Sequence, residues 1–111
     1  MHGMSDYVFV YSTFPDQASA LTVAEHLVDA KLAACANLSA PITSVYAWQG
    51  KRETATEIAA LFKTRRALAE QVIAAARQLH PYEVPCFLVL PIESGSPDYL
   101  AWVRAQTLGG P

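Results

Sequence analysis

The chain has 111 residues, 52% hydrophobic and 16% charged, with 8 Lys and Arg against 10 Asp and Glu for a formal net charge of −2. That length holds one domain, large enough to hide roughly 65% of its extended-chain surface without a disulfide or metal. The single short basic cluster, Lys63-Thr64-Arg65-Arg66, excludes the broad basic surface of a nucleic-acid binder, and no run reaches the ~18 apolar residues of a membrane span.

Residues 1–6 are expected as a flexible N-terminal extension, and His2 is given no role. "MHGMSDYVFVYS" lacks the basic region, long apolar core and small-residue cleavage site of a signal peptide. Tyr7 to Ser12, aromatic and β-branched throughout, reads as a strand in the middle of a sheet. Asp16 is placed to cap a helix running to about Lys31. Ala20, Leu21, Ala24, Leu27 and Val28 recur on its apolar side.

Pro41 interrupts the chain beyond that helix. Ile42 to Trp48 predicts a strand, Gln49-Gly50-Lys51 a turn, and Arg52 or Glu53 to Thr64 the returning strand. Helix propensity over Glu57 to Lys63 is set aside, because the run comes after a hairpin turn and a helix there would end without a cap. Twelve extended residues span about 40 Å, against a diameter of roughly 34 Å for a compact chain of this size. The ribbon is therefore expected to project, with Ile58 to Phe62, apolar on both faces, as the end that needs a neighbour. The sequence suggests an oligomer.

Ala67 to Leu79 carries a second helical stripe through Leu68, Val72, Ala75, Ala76 and Leu79, and Pro81 stops it. Cys86 to Ile92 is a further strand, which Pro91 places at an edge or bulge. Ser96 and Pro97 signal the start of a last helix ending near Thr107. Strand, helix, strand, strand, helix, strand, helix is an α+β, ferredoxin-like split β-α-β order (βαββαβ plus a C-terminal helix). It calls for an antiparallel sheet with helices on one face, as a single domain over residues 7–108.

Five glycines, at 3, 50, 95, 109 and 110, spell neither GxGxxG nor a phosphate loop, and "ESGSP" is a turn and helix start rather than a nucleophile elbow. Cys35 and Cys86 have no zinc or redox spacing; the chain is expected to be cytoplasmic, with reduced thiols. His26 falls on the solvated side of its helix, and Cys35 among small apolar residues where thiols pack like alanine. "LHPYEVPCF", Leu79 to Phe87, is the densest chemistry. His80 ends a helix, where a protonated imidazole is favoured by the dipole. Alternatively the two prolines hold His80, Tyr82, Glu83 and Cys86 for a partial metal site, or His80 and Glu83 form an acid–base pair. Tyr46, Trp48, Tyr82, Tyr99 and Trp102 suit either the core or subunit contacts.

Taken together, "YSTFPD", "KLAACANL", "TSVYAWQGK", "FKTRR", "HPYEVP" and "PDYLAWV" closely resemble the CutA family, the divalent-cation tolerance proteins, from Val8 to Thr107. The resemblance implies a ferredoxin-like fold similar to that of PII signalling proteins, assembled as a homotrimer through extended hairpins. It also implies a non-enzymatic role in copper and other divalent-metal tolerance, with no required cofactor. In the family's pattern for copper ligation a cysteine precedes the TxPD segment and a histidine pair precedes the proline. Here those positions are Ser12 and Leu79-His80, so the implication for this chain is at most weak Cu(II) binding, with His80 as the metal residue. Trp48, Lys63, Tyr82 and Glu83 are the side chains expected around a cleft between subunits, for a divalent metal or small anion. The alternatives are a dedicated copper carrier centred on His80 and a small ferredoxin-like enzyme using His80 and Glu83.

Overall fold

The computed structural model describes residues 5–109; Met1, His2 and Gly3 fall outside them. Of the expected flexible extension, Ser5 and Asp6 are held in place. The Ser5 hydroxyl donates to the Ile92 and Tyr7 carbonyls, the Arg66 amide donates to Asp6 O at 2.8 Å, and Arg104 lies 4.0 Å from the Asp6 carboxylate.

Among the described residues five strands and three helices succeed one another in the order β1 (Tyr7–Phe14), α1 (Gln17–Asp29), β2 (Cys35–Leu38), β3 (Ile42–Trp48), β4 (Lys51–Arg65), α2 (Ala69–Leu79), β5 (Leu88–Pro91) and α3 (Pro97–Ala105). A 3₁₀ turn, Arg66–Leu68, leads into α2. The sheet runs β2-β4-β1-β5 with β3 also on β4, and every pairing is antiparallel. β1 and β2 thus run parallel with β4 inserted between them, which is the ferredoxin-like topology.

Strand alternation sets the two faces. Val8, Val10, Ser12 and Phe14 pair with Thr64, Phe62, Ala60 and Ile58, and all eight are buried on the face that meets the helices. α1 covers them with Ala20, Val23, Ala24 and Leu27, and α2 with Ala69, Val72 and Ala76. Phe14 meets Phe62 edge-on, ring centroids 6.4 Å apart. Each such large side chain contributes about 1.5–3 kcal/mol by burial. Leu21, Val28 and Leu79, grouped with the apolar stripes by spacing, stand exposed.

Helix starts and stops obey local chemistry. Asp16 accepts the Ser19 amide at 2.8 Å, which holds its carboxyl below the usual carboxylate range. α1 is closed off by Lys31, two residues past its last helical residue and in the left-handed region at φ 59, where Lys31 N–H and Leu32 N–H return to the carbonyls of Val28 and Leu27 in a Schellman arrangement. Pro97 opens α3 as expected, but the Ser96 side chain makes no cap bond; Asp98 accepts from the Tyr99 amide instead.

Two differences concern the ribbon. First, Cys35–Leu38 forms a strand that the sequence pattern leaves unassigned. Leu38 pairs with Ala60 and Ile42 with Glu57, so residues 39–41 stand opposite only Ile58 and Ala59. This is a bulge. Pro41 has no N–H for the ladder, and Ser39 spans the gap, its amide donating to Ala59 O at 2.9 Å and its hydroxyl accepting from Ala59 N–H at 2.8 Å. Secondly, Ile58 to Phe62 is not the projecting end. Those residues sit in the sheet between β1 and β2, while the segment that projects is β3 with Lys51 to Glu57. Val45 is 62% exposed and Trp48 52%. β4 runs unbroken for 15 residues, and the molecule measures 45 Å along its longest axis.

The turn joining β3 to β4 has two residues, Gln49 at φ 50 and Gly50 at φ 77, between the paired Trp48 and Lys51. Both positive angles mark a type I′ hairpin, whose twist matches that of the strands. No atom lies within 4 Å of a Cβ built on Gly50, so the demand there is conformational rather than steric. Gly50→Ala is therefore expected to lower stability by about 1 kcal/mol, read as a shift of the urea midpoint at unchanged slope. An unchanged midpoint contradicts the assigned turn.

Candidate functional site

The turn fixes more than the ribbon's twist. Pairing Trp48 with Lys51 carries through to Ile42 with Glu57, so Ser44, Tyr46 and Trp48 share one face with Glu57. Against that face lies the loop after α2. A cleft of about 430 Å³ opens between them, lined by Ser44, Tyr46, Trp48 and Glu57 of the ribbon, Thr13 at the end of β1, and Tyr82, Glu83, Val84 and Cys86 of the loop.

His80 is the pivot of that loop, and it works as a neutral structural group. It is 8% exposed, stacked on Phe14 with ring centroids 4.3 Å apart and planes 18° from parallel. Its Nδ1 accepts the Tyr82 amide at 3.1 Å, which leaves the proton on Nε2; that nitrogen donates to Thr13 O at 2.8 Å and lies 3.3 Å from Ser12 Oγ. Burial pushes the imidazole below its ordinary value, with the Thr13 bond and the Glu57 charge opposing and Arg77 reinforcing. A protonated imidazole resting on the helix dipole is therefore not the form present. The helix end is served instead by the His80 amide, which donates to Arg77 O.

Beyond His80, Tyr82 turns back to the ribbon and donates its hydroxyl to Glu57 Oε2 at 2.8 Å. Burial, together with that bond and the Glu57 charge, holds the phenol well above its usual range. Burial and the same carboxylate push the Cys86 thiol up, so it stays protonated and is a weak nucleophile and metal ligand. Glu57 itself is 9% exposed.

Of the residues expected around a cleft, Trp48, Tyr82 and Glu83 are brought together and Lys63 is not. Lys63 lies six residues beyond Glu57 on β4, about 20 Å along the strand. Its ammonium stands 3.3 Å from the Tyr99 hydroxyl and over that ring at 5.4 Å, on the part of the sheet that α3 covers. Of the three positions in the copper pattern, Ser12 and His80 are in contact, while Leu79 is 43% exposed. Among the described residues no group of three His, Cys, Asp or Glu side chains is placed to hold a metal ion. His80 and Glu83 share no hydrogen bond there. Residue type alone does not single out Glu57, Tyr46 and Cys86 as cleft residues, although the hairpin register places Glu57 on the face of Trp48.

The family model for the CutA1 divalent ion tolerance protein matches residues 8–106. The chain belongs to the CutA1 divalent ion tolerance family. The divalent-cation tolerance protein CutA of Yersinia pestis (strain Pestoides F) is 40% identical over 104 residues, which are 94% of this chain and 87% of that protein. The crystal structure of CutA from Xylella fastidiosa superposes with a TM-score of 0.89 at 37% identity, covering 92% of this chain and 98% of that one. CutA1 from the psychrotrophic bacterium Shewanella sp. SIB1 gives 0.93 at 29% identity, over 96% and 100%. Among the described residues no helix is long and apolar enough to cross a membrane.

The neutral imidazole carries a pH signature. Below about pH 6.5 an unfolded histidine takes up a proton that the buried His80 resists, so the unfolded state binds more protons and stability falls as pH drops. Urea midpoints compared between about pH 7.5 and about pH 5 are expected to fall more in the wild type than in His80→Gln. Equal falls in the two proteins contradict a buried neutral His80.

Proposed function

We propose that this CutA1-family chain acts as a non-enzymatic, cytoplasmic homotrimer in the cellular response to divalent metal, holding a small ligand in the cleft between ribbon and loop, with at most weak Cu(II) binding at His80. The observation that carries the reading is the cleft itself. It is concave, walled by aromatic side chains and supplied with a few convergent polar groups, as small-molecule sites are. Its ribbon wall is unsupported within one subunit. Tyr46 is exposed along with Val45 and Trp48, and an isolated two-stranded ribbon is marginally stable in water.

Further support for assembly comes from the sheet face opposite α1 and α2. β5 is an edge strand, and Leu88 and Leu90 pair with Tyr11 and Phe9 on that face. Leu88 is 57% exposed. An apolar edge of this kind invites pairing with another chain.

Weak rather than tight copper binding is the expectation from the ligand chemistry. Imidazole and thiolate are the side chains that favour Cu(II) and Cu(I). Both His80 nitrogens are already hydrogen-bonded and Cys86 is protonated. A metal at His80 has to displace the Tyr82 amide or the Thr13 carbonyl. The enzyme reading loses its pair for the same reason, since an Nε2–H committed to Thr13 O cannot exchange protons with Glu83.

Light scattering on the full chain is expected to give three times the 12.1 kDa chain mass; a monomer at micromolar concentration overturns the assembly. Calorimetry with Cu(II) is expected to show binding weaker than about 1 μM. Tighter binding that disappears in His80→Ala establishes a dedicated copper carrier in its place.

A further inference from the structure

The loop after α2 is anchored at both ends and tied in the middle by one side chain. At one end His80 is buried and stacked on Phe14. At the other Pro85 is buried, and Phe87 packs against the core, edge-on to His80 at 5.7 Å. Pro81 and Pro85 each fix a backbone angle. The arch between the anchors stands clear of the sheet, with Glu83 exposed and Val84 71% exposed. Among the described residues no backbone-to-backbone hydrogen bond joins Tyr82, Glu83 or Val84 to the rest of the molecule. The Tyr82 amide turns in to His80 Nδ1 at 3.1 Å, and the Tyr82 hydroxyl crosses the cleft to Glu57 at 2.8 Å.

The side chain that makes the crossing is the movable part. The Tyr82 backbone is tied to His80, whereas its ring is half-buried and tilted 42° against the imidazole, with centroids 5.0 Å apart. Turning that ring from one staggered position to another needs no change of main chain. It breaks one hydrogen bond, to a charged oxygen and so stronger than a bond between neutral groups, and returns the phenol to water. Burial along the cleft shows what the ring divides. Trp48 and Val84 are more than half exposed, while Thr13 and Glu57 are each 9% exposed and Cys86 is half-buried. Both partners of the bond, both anchors and the buried residues behind them belong to one chain, so this crossbar is complete in a single subunit whatever a neighbour adds at the mouth.

We propose that Tyr82 is a gate: bonded to Glu57 it closes the inner end of the cleft, and swung out it opens the way to Thr13 and Cys86. Side chains in water change rotamer in picoseconds to nanoseconds. The bond to the carboxylate makes the closed position the populated one, and a guest reaches the inner end through the minor, open state. As a control on ligand entry the gate rests on the cleft being a ligand site; as a moving part it stands on the geometry of one loop.

Cys86 lies where the gate opens, and Cys35, on β2, is the chain's other thiol. The assembled full chain is treated with iodoacetamide at about pH 8, and alkylation of each cysteine is followed by mass spectrometry in the wild type, Tyr82→Phe and Tyr82→Ala. Tyr82→Phe retains the ring and removes the latch; Tyr82→Ala removes the crossbar and gives the open limit. Cys86 is expected to react about tenfold faster in Tyr82→Phe than in the wild type, and at least as fast again in Tyr82→Ala, with Cys35 unchanged throughout. Wild type and Tyr82→Phe decide between them even where Tyr82→Ala does not fold. Equal Cys86 rates in those two overturn the gate, as does a wild type already as fast as Tyr82→Ala, or a rise at Cys35 matching that at Cys86. Each of these results leaves the trimer and the cleft standing. Conversely, a monomer by light scattering with the order of Cys86 rates intact removes the assembly and keeps the gate.

Discussion

One strand carries two incompatible demands, and the rest of the molecule is arranged around them. β4 is the second central strand of the sheet from Ile58 to Arg65, buried under α1 and α2, and it is also one leg of a ribbon from Lys51 to Glu57 that leaves the sheet. No break separates the two parts. The accommodation is made on its neighbour, where Pro41 and the bulge divide β2 from β3 and Ser39 supplies the missing ladder bonds. The core half is stabilised by apolar burial within the chain. The ribbon half lacks that and presents Val45, Tyr46 and Trp48 to whatever lies outside.

Glu57 stands at the junction. It is the last residue of β4 paired with β3 before the bulge, and it is buried not by the helices but by the loop after α2. That loop combines stiffness with chemistry. His80, locked by Phe14, Thr13 and the Tyr82 amide, sets the direction of the chain. Tyr82 then reaches the ribbon, and its bond to Glu57 ties the loop to the junction. The histidine that the sequence makes conspicuous is thus the hinge pin, and the chemical face of the loop is the one beyond it. Burial, reinforced by the Glu57 carboxylate, raises the Tyr82 phenol and the Cys86 thiol, so the cleft holds both weak acids protonated.

Much of the architecture is legible in the residues. Aromatic and β-branched runs and a turn signal place four of the strands, helical spacing places α1 and α2, Asp16 and Pro97 mark the starts of α1 and α3, and Gln49-Gly50 marks the turn. Cys35–Leu38 escapes because four residues without a β-branched or aromatic side chain carry no strand signal; its partner β4, not its own composition, makes it a strand. The oligomer suggestion comes from the length of the ribbon, and β4 does run for 15 residues, but the apolar run points to the wrong end because pairing with β1 cannot be read from β4 alone. In the cleft, Trp48, Tyr82 and Glu83 are visible by type, and Glu57 becomes visible once the turn's two-residue register is counted. The Tyr82–Glu57 bond and the position of Lys63 depend on how the loop and α3 pack, which no local pattern records.

In the proposed trimer a neighbouring subunit holds the ribbon rigid, so that the cleft has a fixed wall. Hydrogen exchange of the β3 and Lys51–Thr56 amides measures this most directly, since an unsupported hairpin opens readily and a covered one opens only with the core. Protection in the ribbon comparable to that of β1 is expected. Exchange of the ribbon amides as fast as in an unfolded peptide, with β1 still protected, contradicts it.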